Sequence, residues 1–429
     1  MKRIFAALFL SVAVVQAQEV RPAIPVNSGP VIVTPNAQSV PVVPVAPATP
    51  VVPAAPEAPP AALVAPAPVT PSAGSWNDLA QYLAGMPVQG GSPLAPLQRE
   101  RAYVEHLKNF STLWRRYQEN HMVPIRQWIV SDLRTRVPSN LPVYYFFGGP
   151  DAISALAFFP DAPVYILGGL EPVGMIGAPQ TLDEAGRAEA LENLRKSTEV
   201  ILNFGHFITK DMKEDLDRSA FRGVLPVITT FVALSGGTIL SLDYVGITSG
   251  GALQNFGTTF KTGSGTAPGI KIVFQRNASA APQTLYYLQA DVSDGAFKSS
   301  GGVARWVGSF GQGVVYLKAA SYLMHETYFS NIRNFLMGHA VAVLQDDSGI
   351  PFKYFLGGGW QIYFYGTYSG TLDIFRKYYQ ADLLVAFQSG AAQPLPFGTG
   401  YKWKKGESNL MLAIRATQVP RAEAVVPAQ

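Results

Sequence analysis

An α/β fold is what this sequence predicts, a layered mixed sheet with flanking helices, and three observations predict it. Short uncharged β-type runs recur, among them VYYFF at 143–147, VYILGGL at 164–170 and AVAVL at 340–344. Stretches with apolar residues three and four apart lie between such runs. Polar turns containing Gly, Pro or Asp close several of the strand-like runs. Strands that alternate with helices build α/β layers, with α+β as the variant that the same elements leave open.

The chain opens MKRIFAALFLSVAVVQAQ. Lys2 and Arg3 precede an apolar run from Ile4 to Val15, and Val15-Gln16-Ala17 has the small-x-small form of a cleavage site. That is the pattern of a bacterial secretory signal peptide over residues 1–17, and the run is shorter than the roughly 20 residues a span needs. Export to the periplasm or the extracellular space is the expected localisation. The formal charge is +4, so loss of Lys2 and Arg3 leaves +2. With that near balance and no basic run interleaved with aromatics, nucleic acid is not an expected partner. The only locally basic stretch, KWKK at 402–405, reads as a solvated turn. There is no cysteine, which excludes disulfides, thiolate metal sites and a lipid-modified N-terminal cysteine.

Residues 18–74 form a low-complexity segment rich in Pro, Val and Ala, expected to be disordered or polyproline II. Pro41, Pro44, Pro47, Pro50, Pro53, Pro56 and Pro59 keep a period of three, which lines one face of a polyproline II helix. Such a linker is a semi-rigid spacer. The globular domain then runs over 75–417, and 418–429 is a disordered tail.

Within the domain, SWNDLAQYLAGM opens a helix with Ser75 as its cap. Leu107, Phe110, Trp114 and Tyr117 mark an amphipathic helix within residues 95–135, where His106 and His121 are expected at the surface or boundary. A helical stretch from about Leu182 to Leu202 follows the strands at 143 and 164, and residues 211–222 read as a charged helix. GVLPVITTFVALSGGTIL (223–240) is uncharged and long enough for a membrane span. Its Pro, Thr and Gly-Gly instead indicate a buried helix to Leu234, a turn, and the strand TILSLDYVGI. Residues 249–269 read as an exposed loop, and IKIVF and TLYYLQADV as a hairpin pair. VVYLKAASYLMHETYFSNIRNFLMG passes from strand to helix, WQIYFYGTY is a strand, TLDIFRKYYQADLLVAFQSG a single helix, and NLMLAIRAT a last strand.

Two stretches share a plan: strand, polar turn with an acid, aromatic pair, second strand. Asp151 stands 18 residues before Gly169, and Asp347 stands 19 before Gly366. The domain is therefore one unit or two similar halves. If each strand ends at its turn, Asp151, Glu171, Asp346 and Asp347 stand beyond strand carboxyl ends, where open α/β sheets bind ligands. Ser348 adds a hydrogen-bond donor. Crowded carboxylates suit a general acid beside a base, or hard-cation ligation, so the metal and cofactor question stays open. Asp before Ser-Gly is also ordinary turn chemistry. Lys318, Ser321, Tyr322 and His325 would share one face of a helix, a weaker Ser–Lys arrangement. His206 is placed to pair with Asp211, and His339 to act at a helix C-terminus. Neither G-x-x-x-x-G-K-S/T, G-x-G-x-x-G after a strand nor G-x-S-x-G occurs.

GGPDAISALAFFPDAPVYILGGLEPVG, LQDDSGIPFKYF with WQIYFYGTY, and LPFGTGYKW resemble a family of bacterial exported proteins to which no activity is attached. Its pattern is G-P-D, F-F-P and G-L-E-P-x-G, then Q-D-D-S-G-I-P. The resemblance covers residues 76–417 and implies export. It carries over no functional residue, and Gly148 stands where the family's Ser would precede Gly-Pro-Asp. Two function classes remain. One is a cell-envelope hydrolase with a carboxylate-based site at Asp151, Glu171, Asp346, Asp347 and Ser348. The other is a non-catalytic binding or scaffold module whose aromatics Tyr363, Tyr365 and Tyr368 meet an envelope polymer or protein. No transmembrane span is expected in the mature chain. The oligomeric state is open.

Overall fold

A computed structural model describes residues 73–206, 219–258, 266–390 and 392–416, all within one compact unit. The expected leader (1–17), the Pro-rich segment up to residue 72 and the tail (418–429) lie outside the described residues.

The apolar runs become strands of one mixed sheet. In chain order these are β1 (Val143–Phe146), β2 (Val164–Gly169), β5 (Thr238–Thr248), β6 (Leu253–Gly257), β7 (Thr266–Gln275), β8 (Gln283–Gln289), β9 (Gly313–Leu317), β10 (Ala340–Gln345), β11 (Trp360–Gly366) and β12 (Asn409–Arg415). Two further short strands, β3 (Met175–Ile176) and β4 (Phe221–Arg222), pair separately. The ten-stranded order is β11-β12-β10-β9-β1-β2-β8-β7-β5-β6. The five central strands, β10 to β8, run parallel, and antiparallel strands complete both sides. β1 leads outward to β2 on one side, whereas β9, on its other side, leads to β10. The chain therefore reverses its direction of sheet growth between β1 and β9, and in such sheets the crevice beyond those strand ends is the default ligand position.

Period-2 alternation divides the core. Val143 and Tyr145 join one apolar layer, and Tyr144 and Phe146 join the other. The first layer is covered by α1 (Ala73–Leu83), a long helix α2, α3 (Ala152–Phe158), α4 (Glu184–Phe204) and α5 (Leu225–Leu234). The second is covered by α6 (Gly302–Gly308), α7 (Ser330–His339) and α8 (Ala381–Gln388). The helix α2 begins as Arg101–Tyr117 and continues to Arg136 through π-helical turns at Gln118–Met122 and Ile129–Leu133. Each π turn adds a residue to the turn and resets the apolar stripe, which keeps Tyr117, Met122, Ile125, Trp128 and Leu133 all buried. α5 is apolar all round and is buried all round, with the Thr229 and Thr230 hydroxyls donating to carbonyls one turn back. No described helix is long and apolar enough to cross a membrane.

The structure corrects several expectations. Residues 249–258 are a turn followed by the edge strand β6, and β7 starts at Thr266, inside the expected loop. The helix expected over 371–390 is a 3₁₀ segment (Asp373–Tyr378), a break, and the shorter α8. His106 is buried, with Nε2 3.0 Å from the Leu83 carbonyl. Phe221 and Arg222 are strand, and the rest of the expected 211–222 helix lies outside the described residues except for Ser219 and Ala220, which form a bend. The two units of the apparent repeat differ in pairing: β2 lies directly against β1, whereas β12 inserts between β10 and β11.

Phe158 belongs to the first layer. It is 2% exposed and packs its ring on Trp128, Tyr316 and Phe397. Phe158→Ala is expected to cost about 3–5 kcal/mol in urea unfolding, and Val385→Ala, on the exposed side of α8, to stay within about 0.5.

Candidate functional site

All five residues singled out in the sequence stand beyond parallel-strand ends and are buried: Asp151 2%, Glu171 6%, Asp346 3%, Asp347 9% and Ser348 0% exposed. They form separate groups. Asp151 follows β1 and caps α3, its Oδ1 accepting the Ser154 N–H at 3.2 Å. Its Oδ2 takes the Tyr145 hydroxyl at 2.8 Å and stands 2.6 Å from Lys318 Nζ. Lys318, at the end of β9, also donates to Ser154 Oγ at 2.7 Å. This buried ion pair spans the point where sheet growth reverses. Burial raises the Tyr145 and Tyr117 hydroxyls, with Asp151's charge as the second cause. Burial, and then the Lys318 charge, hold His206 down to about 4. Glu171, after β2, is held differently: Tyr287 donates to its carbonyl at 2.8 Å and lies 3.3 Å from its carboxylate.

Asp346, Asp347 and Ser348 follow β10 and grip the loop that follows β9. That loop is strained. Among the described residues, four non-glycines have left-handed φ: Phe147 (+66°) after β1, and Ala319 (+50°), Ser321 (+53°) and Tyr322 (+55°) after β9. Such conformations cost about 1–3 kcal/mol each and persist where surroundings over-determine them. Here side chains take successive backbone N–H groups. Asp346 Oδ2 accepts Ala319 N–H at 2.9 Å, Ser348 Oγ accepts Ala320 N–H at 2.7 Å, and Tyr401 accepts Ser321 N–H at 3.1 Å. Asp347 accepts the Tyr322 hydroxyl and, at 2.8 Å, the Asn409 amide. Gly400, at φ +70°, lies so close over Asp346 that a Cβ there would collide with its carboxylate.

Burial raises both aspartates; the Asp347 charge is the second cause at Asp346, which is pushed up to about 7. A void of about 10 Å³ beside them has room for about one water.

The pinned loop delivers Tyr322 to an aromatic group. Its ring stacks on Tyr378 at 5.2 Å and meets His325 edge-on at the same distance. His325, Phe352 and Tyr378 line a cleft of about 320 Å³. Gln380 ties its wall to the double aspartate, accepting Phe352 N–H at 2.7 Å and donating to the Asp347 carbonyl at 3.0 Å. A larger cleft, about 470 Å³, lies by the carboxyl end of β8, and its lining includes small residues such as Thr248, Ala267, Ala290 and Gly302. Among the described residues no three His, Asp or Glu side chains converge as a metal-binding group.

The chain matches no protein-family model, and no curated protein or solved structure resembles it at a significant level.

Sequence reasoning missed Lys318 as the partner of Asp151 and Ser154. The segment after β9 is not a helix, so Lys318, Ser321, Tyr322 and His325 share no helical face. The available signal was a lysine at the end of a fully apolar strand. Tyr365 and Tyr368 are buried, and Tyr363 lies under Arg136 with the guanidinium 4.2 Å from its ring, so these three do not form an open aromatic surface.

Removing one charge strands the other in the core. Lys318→Met is expected to cost about 3–5 kcal/mol, and the double variant with Asp151→Asn clearly less, in a double-mutant cycle read by denaturation.

The pH dependence has two opposed parts. Burial holds His106, His206 and His325 down to about 4 and lowers His121 as well. The unfolded chain then binds more protons between about pH 6.5 and 4, and stability falls as pH falls through that window. Asp346 has the opposite sign: its folded-state proton affinity is raised, so it adds stability as pH falls from about 7 toward 4. Wild type is expected to weaken from pH 7 to pH 5, and Asp346→Asn to weaken more steeply, in denaturation midpoints measured across that range.

Proposed function

We propose that this chain is a non-catalytic binding module of the bacterial cell envelope, exported by its N-terminal leader and displayed on its Pro-rich spacer. Its ligand would be an envelope polymer or an envelope protein, met at the cleft lined by His325, Phe352 and Tyr378. One observation carries this reading: the carboxylates at the strand ends are spent on internal donors. Asp151 holds a lysine, Asp346 and Asp347 hold a strained loop, and Glu171 lies against Tyr287. Lys318, the amine nearest Ser154, is itself engaged by the Asp151 carboxylate at 2.6 Å.

A hydrolase is the second reading. The convergence of Asp151, Ser154 and Lys318 beyond β1 and β9, together with backbone strain in both following loops, favours it. Ester, amide, phosphate and glycoside substrates decide between the two. The binding reading expects wild type to turn over none of them faster than Ser154→Ala. Turnover that disappears in Ser154→Ala at an unchanged Tm would establish the hydrolase instead.

A further inference from the structure

We infer that the cleft beside His325 is a glycan site, with Tyr379 as its stacking platform and His325 Nε2 as a hydrogen-bond partner for a sugar hydroxyl or acetamido group. This rests on the binding-module reading and names its ligand class.

Four observations select that class. The first is the platform. Tyr379 lines the cleft and is 47% exposed, although its ring lies nearly parallel to the buried Tyr368, 6.4 Å away and 17° inclined. A half-open aromatic ring fixed by a buried one offers a flat apolar face at little entropic cost. The C–H face of a pyranose ring complements the negative face of such a ring.

The second is the unpaired ring nitrogen. His325 also lines the cleft, and its Nε2 is shielded from water without a hydrogen-bond partner. Burial keeps the imidazole neutral at pH 7, so one ring nitrogen donates and the other accepts. A buried ring nitrogen left unpaired is costly, and a ligand hydroxyl or acetamido group, each able to donate and to accept, satisfies it.

The third is charge. The cleft residues Lys353 and Lys377 are offset by Asp382 at the rim and by Glu326, which holds Lys377 at 2.6 Å. A near-neutral rim of long polar side chains suits a polyhydroxyl ligand and gives an anion little net attraction. The fourth is size. A volume of about 320 Å³ stands at the small end of ligand clefts, about 300–1,000 Å³, and fits a few sugar rings of a polymer. The floor is rigid because Tyr322, Gln380 and the Asp347 turn hold it.

The test is calorimetry on the full chain with three probes: N-acetylglucosamine hexamer, glucose β-1,4 hexamer and polygalacturonate. Wild type, Tyr379→Ala, His325→Phe and the α8 surface control Val385→Ala are compared, with Tm recorded for each. The expected result is binding of at least one neutral hexamer, weakened about tenfold or more by Tyr379→Ala at unchanged Tm and untouched by Val385→Ala. His325→Phe is expected to weaken it as well. Tyr379 lies at the surface, so its variant decides the matter even if the histidine variant fails to fold. Hexamer binding that ignores Tyr379→Ala would overturn the cleft assignment and leave the binding-module reading standing. Binding of polygalacturonate alone overturns the neutral ligand inferred from the rim charge, and binding of no probe overturns the glycan class. Shortening of a hexamer, followed by mass spectrometry, would refute the non-catalytic reading and leave the cleft in place.

Discussion

The ion pair between Asp151 and Lys318 is the constraint on which the rest of the structure depends. It joins the loop after β1 to the end of β9, at the one place where the two directions of sheet growth diverge. Two charges buried to 2% and 3% of side-chain exposure carry a desolvation cost of several kcal/mol each. The arrangement is tolerable because each charge has hydrogen-bond partners besides the other. Tyr145 and the Ser154 N–H complete the carboxylate, and Ser154 Oγ takes a second proton of the ammonium. The same contacts cap α3, so helix start, strand end and charge pair form one unit.

From that unit the β9 loop leaves in a conformation that non-glycine residues disfavour. Its N–H groups would otherwise be orphaned behind the sheet. The double aspartate answers this need, because Asp346 and Ser348 reach across from β10 and accept consecutive amides, while Asp347 holds the side chain of Tyr322. QDDSG thus makes turn hydrogen bonds of its own and serves a neighbouring loop as well. Two buried carboxylates side by side hold a proton more tightly than free ones. Their acidity is therefore tied to the same loop.

The strain has a consequence for the surface. Tyr322 is delivered between Tyr378 and Tyr401, and the stack gives His325, Phe352 and Tyr379 a firm base. The geometry of the cleft is in this way fixed by Tyr322 and Tyr401, which do not line it. A buried polar network specifies position well because each half-satisfied alternative costs free energy.

Much was legible in the sequence for a local reason. Parallel strands buried on both faces read as short apolar runs, so β1, β2, β9 and β10 stand out, and the acids after them mark the strand ends. The Pro and Gly-Gly of residues 223–240 separated helix from strand because their backbone limits act on their own residues. The edge strand β6, half-exposed and polar, carried no such signal. The break before α8 was hidden because Tyr378 and Gln380 are placed by contacts with Glu326, Phe352 and Tyr368 rather than by local preference. Which acid meets which cation was out of reach, since Asp151 and Lys318 lie 167 positions apart and meet only because β9 inserts beside β1. The sequence by itself determined the layers and the strand-end placement of the acids, because hydrophobic periodicity and turn preference are local. Only the tertiary structure decided that those acids face inward as clamps, because strand order sets which loops become neighbours.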